Sequence, residues 1–523
     1  MSNSDKFLRG AMILTLAGLM VKVIGSVNRI LLSRLLGGEG IGLYQMAYPV
    51  YLLLLSVSAA GIPVAISIIV AEYLAKRDYA NVRQVFRVSL RLMAVVGLVL
   101  AGALVLAAGW LVEAGVIKDA RAYYALVALT PAIFFATILA SFRGYFQGHQ
   151  LMTPPAVSQI VEQFIRVVTM VVLAYVLLPY GLEYAAAGAA FGAVPGSLTG
   201  LVVLGCFYRY YKKRWRAEQL PLVNAVLTPK RTLIKRLLLL ALPVSCANFI
   251  VPVTSSIDVL LVPHYLLQAG FSVKEATTQF GYLAGMAQPL LLMATIPTMS
   301  LATSLVPAVS EALALNAWKR IEEKLATAMK LCCLLTVPAA VGMSALAEPI
   351  SRLLYGTAQA KIAIMHSGPA IWLLGLQQVT TGMLQGMGHT NLPMLYMLAG
   401  IIAKLIAVCQ LTTAEYGIAG AAWATNINFG VTALLNILAL HYFKIKFYWL
   451  NIIKIICAAL IMGVAAQALH SALAVYNYTL ATLAALVGAG IVYAALLPLL
   501  RIITLAELRE LPLVKKLAKR FSK

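Results

Sequence analysis

Long apolar segments recur along the whole chain, and they constrain the fold more than any other feature. A helix needs about 20 apolar residues to cross the hydrocarbon core of a bilayer. Only 11% of the 523 residues are charged, whereas soluble domains have about 25%. The sequence therefore predicts an all-α integral membrane protein with fourteen spans, at roughly 8–35, 43–71, 88–112, 121–146, 155–178, 184–208, 234–262, 279–309, 325–346, 361–385, 392–411, 416–441, 449–470 and 477–500. The first apolar run continues past Lys22, so we expect an uncleaved span rather than a signal peptide.

The net charge of +23 indicates topology rather than a nucleic-acid partner. Most of the 41 Lys and Arg residues fall in the segments that lie inside if the N-terminus is inside, including YRYYKKRWRAEQ and VKKLAKRFSK. By the positive-inside rule, both termini are cytoplasmic and the protein crosses the cell membrane many times. We expect the basic tail either to lie along anionic lipid headgroups or to be solvated.

An internal repeat divides the chain into two halves. The segment beginning at Phe146 is echoed from Leu384, so that Gln147-Gly148 matches Gln385-Gly386 and Arg166 matches Lys404, 238 residues apart. Several weak matches in the same order indicate two homologous six-helix lobes, related by an axis along the membrane normal. The predicted domains are an N-lobe, a basic cytoplasmic linker, a C-lobe, two extra spans and a basic cytoplasmic tail, at 1–211, 212–233, 234–442, 443–502 and 503–523.

Span five carries polar residues on one face, with Val, Ile, Leu and Met on the other. The polar residues recur at helical spacing: Ser158, Gln159, Glu162, Gln163, Arg166 and Thr169. Glu162 precedes Arg166 by four residues, which is the favourable order for a helical ion pair. The pair either joins two helices or faces a water-filled cavity.

Four cations lie within the predicted spans, at Lys22, Arg29, Arg166 and Lys404. Each costs roughly 2.5–3.5 kcal/mol at a helix centre, so this excess is reasonable if a water-filled cavity screens it and an anion visits. Asp258 is the only acid of its span, and it is a candidate for a coupling cation or proton, or for a structural hydrogen bond. We expect no metal site, and no disulfide framework among the six cysteines, which lie in apolar stretches without a CxxC pair.

The stretch RGYFQGHQLMTPPAVSQIVEQFIRV resembles the multidrug/oligosaccharidyl-lipid/polysaccharide (MOP) exporter superfamily. Within it, the stretch is similar to the stage V sporulation protein B and polysaccharide-biosynthesis protein family. Span one, with VKVIGSVNRILLSRLLG, resembles the MurJ-type lipid II flippases. The resemblance implies a V-shaped bundle of two six-helix lobes. It also implies a cationic cavity for the pyrophosphate of an undecaprenyl-linked sugar, and a groove for the lipid tail at the last two helices.

The resemblance carries over residue by residue only in part. Lys22 falls on the family's first cavity cation, whereas Asn28 takes the place of the second, one residue before Arg29. The arginines of spans two and eight are missing, because the matching stretches read YLLLLSVSAAG and PLLLMATIPTM. Arg166 is a candidate substitute, and Asp258 lies on the helix where relatives place a cation-binding acid.

These features predict a secondary flippase for an anionic polyprenyl-diphosphate-linked saccharide, with lipid II of peptidoglycan synthesis as first candidate. Lys22, Arg29, Arg166 and Lys404 would bind the head group, Glu162 would orient Arg166, and Asp258 would serve coupling. We expect no cofactor, with coupling to Na⁺, H⁺ or membrane potential. The expected partners are the lipid substrate, membrane lipids and cell-wall synthesis proteins, with the protein a monomer.

Other function classes fit less well. A glycosyltransferase would want paired carboxylates or a DxD sequence, and the chain has no DxD and no GxxxxGK[ST], so we expect no enzyme. A MATE-like exporter of cationic drugs would want an acidic cavity rather than a basic one. A flippase for another cell-surface polysaccharide precursor, in growth or in sporulation, remains an open alternative.

Overall fold

The structure is a computed structural model that describes residues 3–58, 61–218, 227–445 and 449–502. All regular secondary structure within these ranges is helical, as the sequence predicts. The basic tail at 503–523 and part of the linker, at 219–226, lie outside the described residues.

Ten helices in the described ranges are long and apolar enough to cross a membrane, or eleven if one bent pair counts as a span. The multi-span architecture is therefore confirmed, whereas the number fourteen stays a prediction. Two of the predicted spans form one helix here, since the expected break between spans one and two is a kink at Gly37 (φ 66°, ψ −171°). Gly37 adopts a backbone conformation that other residues rarely reach.

The chain divides into two compact units, Met1–Gly285 and Met286–Lys523. This division falls after the seventh predicted span rather than in the linker, because the helix Lys230–Gln268 packs against the first two helices of unit 1. The lobe boundaries drawn from the repeat stay a prediction.

Unit 1 contains nine α-helices and a 3₁₀ turn at Leu178–Tyr180 within its described residues. The α-helices are α1 (Asn3–Ser58), α2 (Ile62–Ala75), α3 (Tyr79–Glu113), α4 (Ala122–Gly148), α5 (Thr153–Leu177), α6 (Leu182–Phe191), α7 (Ala193–Glu218), α8 (Lys230–Gln268) and α9 (Val273–Phe280). A π-helix, Gly281–Ala287, follows α9 and crosses into unit 2.

Unit 2 contains nine more α-helices in the part of the chain that is described. They are α10 (Gln288–Ala294), α11 (Ile296–Ala314), α12 (Trp318–Ala345), α13 (Ala347–Tyr355), α14 (Lys361–Gly386), α15 (Asn391–Leu411), α16 (Ile418–Tyr442), α17 (Trp449–Leu473) and α18 (Tyr478–Leu499).

The predicted repeat is visible in the helix boundaries. α4 ends at Gly148 and α14 ends at Gly386, while α5 begins at Thr153 and α15 begins at Asn391. Both boundaries recur after 238 residues, the same offset as in the sequence match. The two halves therefore share helix positions as well as residues.

An ionic network orders the loop before α4 in unit 1. Arg121 Nη1 lies 2.6 Å from Glu39 Oε1 on α1, and Arg121 Nη2 lies 2.8 Å from Asp119 Oδ2. Thr277 of α9 also donates to Asp119 Oδ2, at 2.8 Å. Burial disfavours the charged carboxylate, but the hydrogen bonds from Arg121 and Thr277 outweigh it and hold the pKa of Asp119 below its usual range. The network is therefore ionised at neutral pH.

Candidate functional site

The polar face of α5 is confirmed by its surroundings. α5 packs against α1, α6 and α7 on one side. Phe164 and Val172 on the other side are 58% and 51% exposed, as lipid-facing side chains would be. The polar side points into the unit, where Ser158 is fully buried. The helical periodicity of span five therefore places Glu162 and Arg166 inside the protein rather than in lipid.

Glu162 forms ion pairs with two arginines. Its Oε1 accepts from Arg166 Nη2 at 2.8 Å, one turn along α5. Its Oε2 accepts from Arg143 Nη2 of α4 at 2.6 Å. The side chains of Glu162, Arg166 and Arg143 are 13%, 16% and 20% exposed. We call these three residues the charge triad; its formal charge is +1, since one carboxylate faces two guanidinium groups.

Arg143 is the site residue that the sequence reasoning missed. It lies near the end of span four, where it counts as an interfacial cation, and the list of cations within spans therefore omits it. The structure corrects that list to five, because α4 continues to Gly148 and carries Arg143 beside α5. The available signal was its position at the start of the RGYFQG stretch, 19 residues before an acid with no second partner on its own helix.

Glycines on α7 make room for the charge triad. A Cβ at Gly196 would lie 2.9 Å from Arg166 Cβ and 3.0 Å from the Glu162 backbone oxygen. A Cβ at Gly200 would lie 3.3 Å from Glu162 Cβ. These two glycines form a GxxxG pair, which lets helix backbones approach closely in membranes. The close approach of α7 closes the triad on one side and leaves α1 and α4 as its other walls.

Tyrosines of α1 stand beside Arg166. Tyr44 stacks on Tyr48, and Tyr48 packs against Tyr51, with ring centroids 5.3 and 5.8 Å apart. All three act electrostatically on the Arg166 guanidinium. The buried Tyr51 hydroxyl and Arg166 Nε make no hydrogen bond with the described protein atoms. Two donors are therefore available next to the net positive charge.

The structure brings one of the α1 cations close to the triad. Arg29 and Arg166 both act electrostatically on Tyr44, so they lie in one region of unit 1. Asn28, at the position of the family's second cation, is 5% exposed and contacts Met170 Sδ of α5 at 3.3 Å. Lys22 lies exposed on α1, two turns before Arg29. Nothing in the structure tests whether Lys22 or Arg29 binds a substrate.

The matching position in unit 2 has a different environment. Lys404 is 1% exposed, so its side chain is fully enclosed, unlike that of Arg166. Gly400, which matches Glu162, packs its backbone against Asn428 and Thr432 of α16. The repeat therefore exchanges large and small residues: α5 carries the acid against glycines of α7, whereas α15 carries the glycine against polar side chains of α16. A binding role for Lys404 stays a prediction.

Asp258 lies in α8 of unit 1 and is 4% exposed. Its predicted coupling role stays a prediction. Across the described ranges, no three His, Cys, Asp or Glu side chains gather as they would around a metal ion.

Comparison with known proteins identifies the family. The polysaccharide biosynthesis protein family model matches residues 7–313, and the MatE model matches residues 243–408. Stage V sporulation protein B of Bacillus subtilis (strain 168) is 32% identical, with 98% of each chain covered. Lipid II flippase MurJ of the same organism is 27% identical, with 77% of each chain covered.

The fold agrees with this relationship. A structure of lipid II flippase MurJ in an inward closed conformation superimposes with a TM-score of 0.71 at 15% sequence identity, covering 93% of this chain and 98% of that one. The predicted relationship to the MOP superfamily is confirmed, and so is the expectation of a transporter rather than an enzyme. The chain belongs to the polysaccharide biosynthesis protein family of the MOP exporter superfamily, and it is a multi-pass membrane transporter of the flippase or exporter type.

Proposed function

We propose that the protein is a flippase for an anionic polyprenyl-diphosphate-linked saccharide, with lipid II as the first candidate, and that it works by alternating access. The observation that carries the proposal is the charge triad. One carboxylate cannot neutralise Arg143 and Arg166 together, and maintaining an uncompensated cation at membrane depth is costly unless it has a function. A diphosphate supplies the missing negative charge.

Guanidinium groups suit this ligand. Arginine binds phosphate oxygens through several parallel N–H donors, and such charge-assisted hydrogen bonds are about twice as strong as neutral ones. Arg166 has an unpartnered Nε, and the Tyr51 hydroxyl beside it can donate as well. We propose Arg166 as the main head-group ligand, with Arg29 and Lys22 as further cations on α1.

An apolar groove in unit 2 fits the other half of the substrate. It has a volume of about 490 Å³ and lies between α12, α14 and α17. Its walls are almost entirely apolar, and they include Val341, Trp372 and Leu460. Such a groove can hold part of a prenyl chain, which agrees with the lipid-tail groove that the family resemblance implies at the last two helices.

The same charge argues against a cationic drug as the substrate. A cation entering the charge triad would face a net charge of the same sign, which disfavours binding. A flippase for another polyprenyl-linked saccharide is compatible with the triad, because the triad would recognise the diphosphate rather than the sugar. The relatives are likewise named for sporulation, for lipid II and for polysaccharide synthesis.

Binding to short prenyl ligands tests the substrate class. Purified protein should bind farnesyl diphosphate at least about tenfold more tightly than farnesyl monophosphate, because the second phosphate adds charge for the same cations. Farnesol, which lacks phosphate, should bind weakest. Titration of the three ligands by microscale thermophoresis measures this order. Equal affinity for all three would mean that only the prenyl chain is recognised, contrary to the proposal.

A further inference from the structure

The two arginines of the charge triad are held unequally. Arg143 contacts α5 at two points, through Nη2 to Glu162 Oε2 at 2.6 Å and through a weak hydrogen bond from Nε to Ser158 Oγ at 3.5 Å. Arg166 has a hydrogen bond to Glu162 through Nη2, while its Nε has no partner among the described atoms. Arg143 is therefore the anchored guanidinium, and Arg166 is the one that can turn.

Glu162 competes with any anion that approaches Arg166. Its carboxylate already occupies one donor nitrogen of Arg166, at 2.8 Å. If Arg166 were its only partner, its departure would leave a mostly buried carboxylate unpaired, which is strongly destabilising. Because Arg143 binds the other carboxylate oxygen, Glu162 remains paired whether Arg166 stays or leaves.

We propose that Arg143 is a positioning residue for an exchange of ion-pair partners. When a phosphate or diphosphate group arrives, Arg166 releases Glu162 and binds the anion, while Arg143 retains the carboxylate. When the anion leaves, Glu162 takes Arg166 back. The carboxylate thus limits how tightly the anion is held, as transport requires, and Arg143 sets how strongly Glu162 competes. This inference rests on the proposed function, because it assumes an anionic ligand at Arg166.

Two other roles for Arg143 make different predictions. If Arg143 bound the anion directly, its loss would weaken binding by the same factor whether or not Glu162 is present. If it only joined α4 to α5, its loss would lower thermal stability and leave the affinity of the folded protein unchanged. In the exchange, Arg143 acts on the anion only through Glu162.

A double-mutant cycle on the full-length protein separates these roles, with farnesyl diphosphate as the probe. Arg143→Gln should weaken binding about tenfold, since Glu162 then competes for Arg166 with its full charge. Glu162→Gln should tighten binding about tenfold and slow dissociation of the probe. In the Glu162→Gln background, adding Arg143→Gln should change affinity by less than about twofold. Arg143→Lys keeps the charge and should restore most of the affinity lost in Arg143→Gln.

Arg121→Gln is the matched control. It removes a guanidinium from another carboxylate network of unit 1, with Asp119 and Glu39, so it should affect stability and leave probe affinity unchanged. Binding is measured on the monodisperse fraction, so that partial misfolding does not count as weak binding. If the double variant cannot be purified, the slower dissociation from Glu162→Gln alone decides, and an unchanged rate contradicts the exchange.

The possible failures are distinguishable. If Arg143→Gln weakens binding equally in both backgrounds, or only lowers the melting temperature, the exchange is wrong and the proposed function stands. If the wild-type protein does not bind farnesyl diphosphate, or if Arg166→Gln binds it as well as wild type, the anion site itself is wrong and the exchange falls with it.

Discussion

Replacing Arg166 by Gln should reduce translocation of lipid II by about a hundredfold, equivalent to about 2.7 kcal/mol, while the protein still folds. Activity falls because the proposed anion ligand loses its charge and its guanidinium donors. The fold survives because Glu162 keeps its 2.6 Å ion pair with Arg143. Translocation in proteoliposomes, normalised to the amount of reconstituted protein, measures the first effect, and thermal unfolding in detergent measures the second.

Arg34→Gln serves as the control for this experiment. Arg34 is an exposed cation of α1, outside the charge triad, and its removal should leave translocation close to that of wild type. Full transport by a well-folded Arg166→Gln variant would show that Arg166 is not the ligand. Lys22 and Arg29 would then be the remaining candidates.

The second large effect is expected from Gly196→Val. A side chain here would push against Arg166 Cβ and the Glu162 backbone oxygen, which lie within 3.0 Å of a Cβ built at this position. Because backbone cannot yield as a flexible side chain can, α7 must move away from α5. We expect a loss of about 3 kcal/mol in stability, visible as a lower melting temperature or as failure to fold.

Gly205→Val on the same helix is the matched comparison. No atom lies within 4 Å of a Cβ built at Gly205, so this variant should unfold at nearly the wild-type temperature. Equal destabilisation by the two variants would indicate that valine acts through helix propensity or insertion rather than through crowding of the charge triad.

The face of α5 could be predicted from sequence because it depends on one helix alone. Helical spacing places Glu162 and Arg166 together and opposes them to Phe164 and Val172, and the structure has the same arrangement. The repeat was equally readable, since the ends of α4 and α14 fall 238 residues apart. Local periodicity and an internal match need no knowledge of tertiary packing.

The partner of Glu162 across the helix interface could not be predicted in this way. The pairing of Arg143 depends on how α4 crosses α5, and the sequence gives no spacing rule for contacts between helices. The pair of Glu162 with Arg166 suggested that removing Arg166 strands an acid. With Arg143 present, the acid keeps a partner, so a double substitution is no longer needed to recover the fold.

The environment of Lys404 was hidden for a similar reason. Sequence alignment of the halves places Lys404 at the depth of Arg166, but exposure differs, at 1% for Lys404 and 16% for the Arg166 side chain. The difference comes from Asn428 and Thr432 on α16, which occupy the space that Gly196 and Gly200 leave open on α7. Homologous positions thus have unlike surroundings.

Reconstituted translocation with two competing substrate classes tests the central claim most directly. Proteoliposomes containing the wild-type protein are offered lipid II and a cationic drug side by side, and movement of each across the bilayer is followed over time. The account predicts translocation of lipid II above protein-free liposomes and no protein-dependent movement of the drug. Movement of the drug without movement of lipid II would contradict the assignment of the charge triad as an anion site.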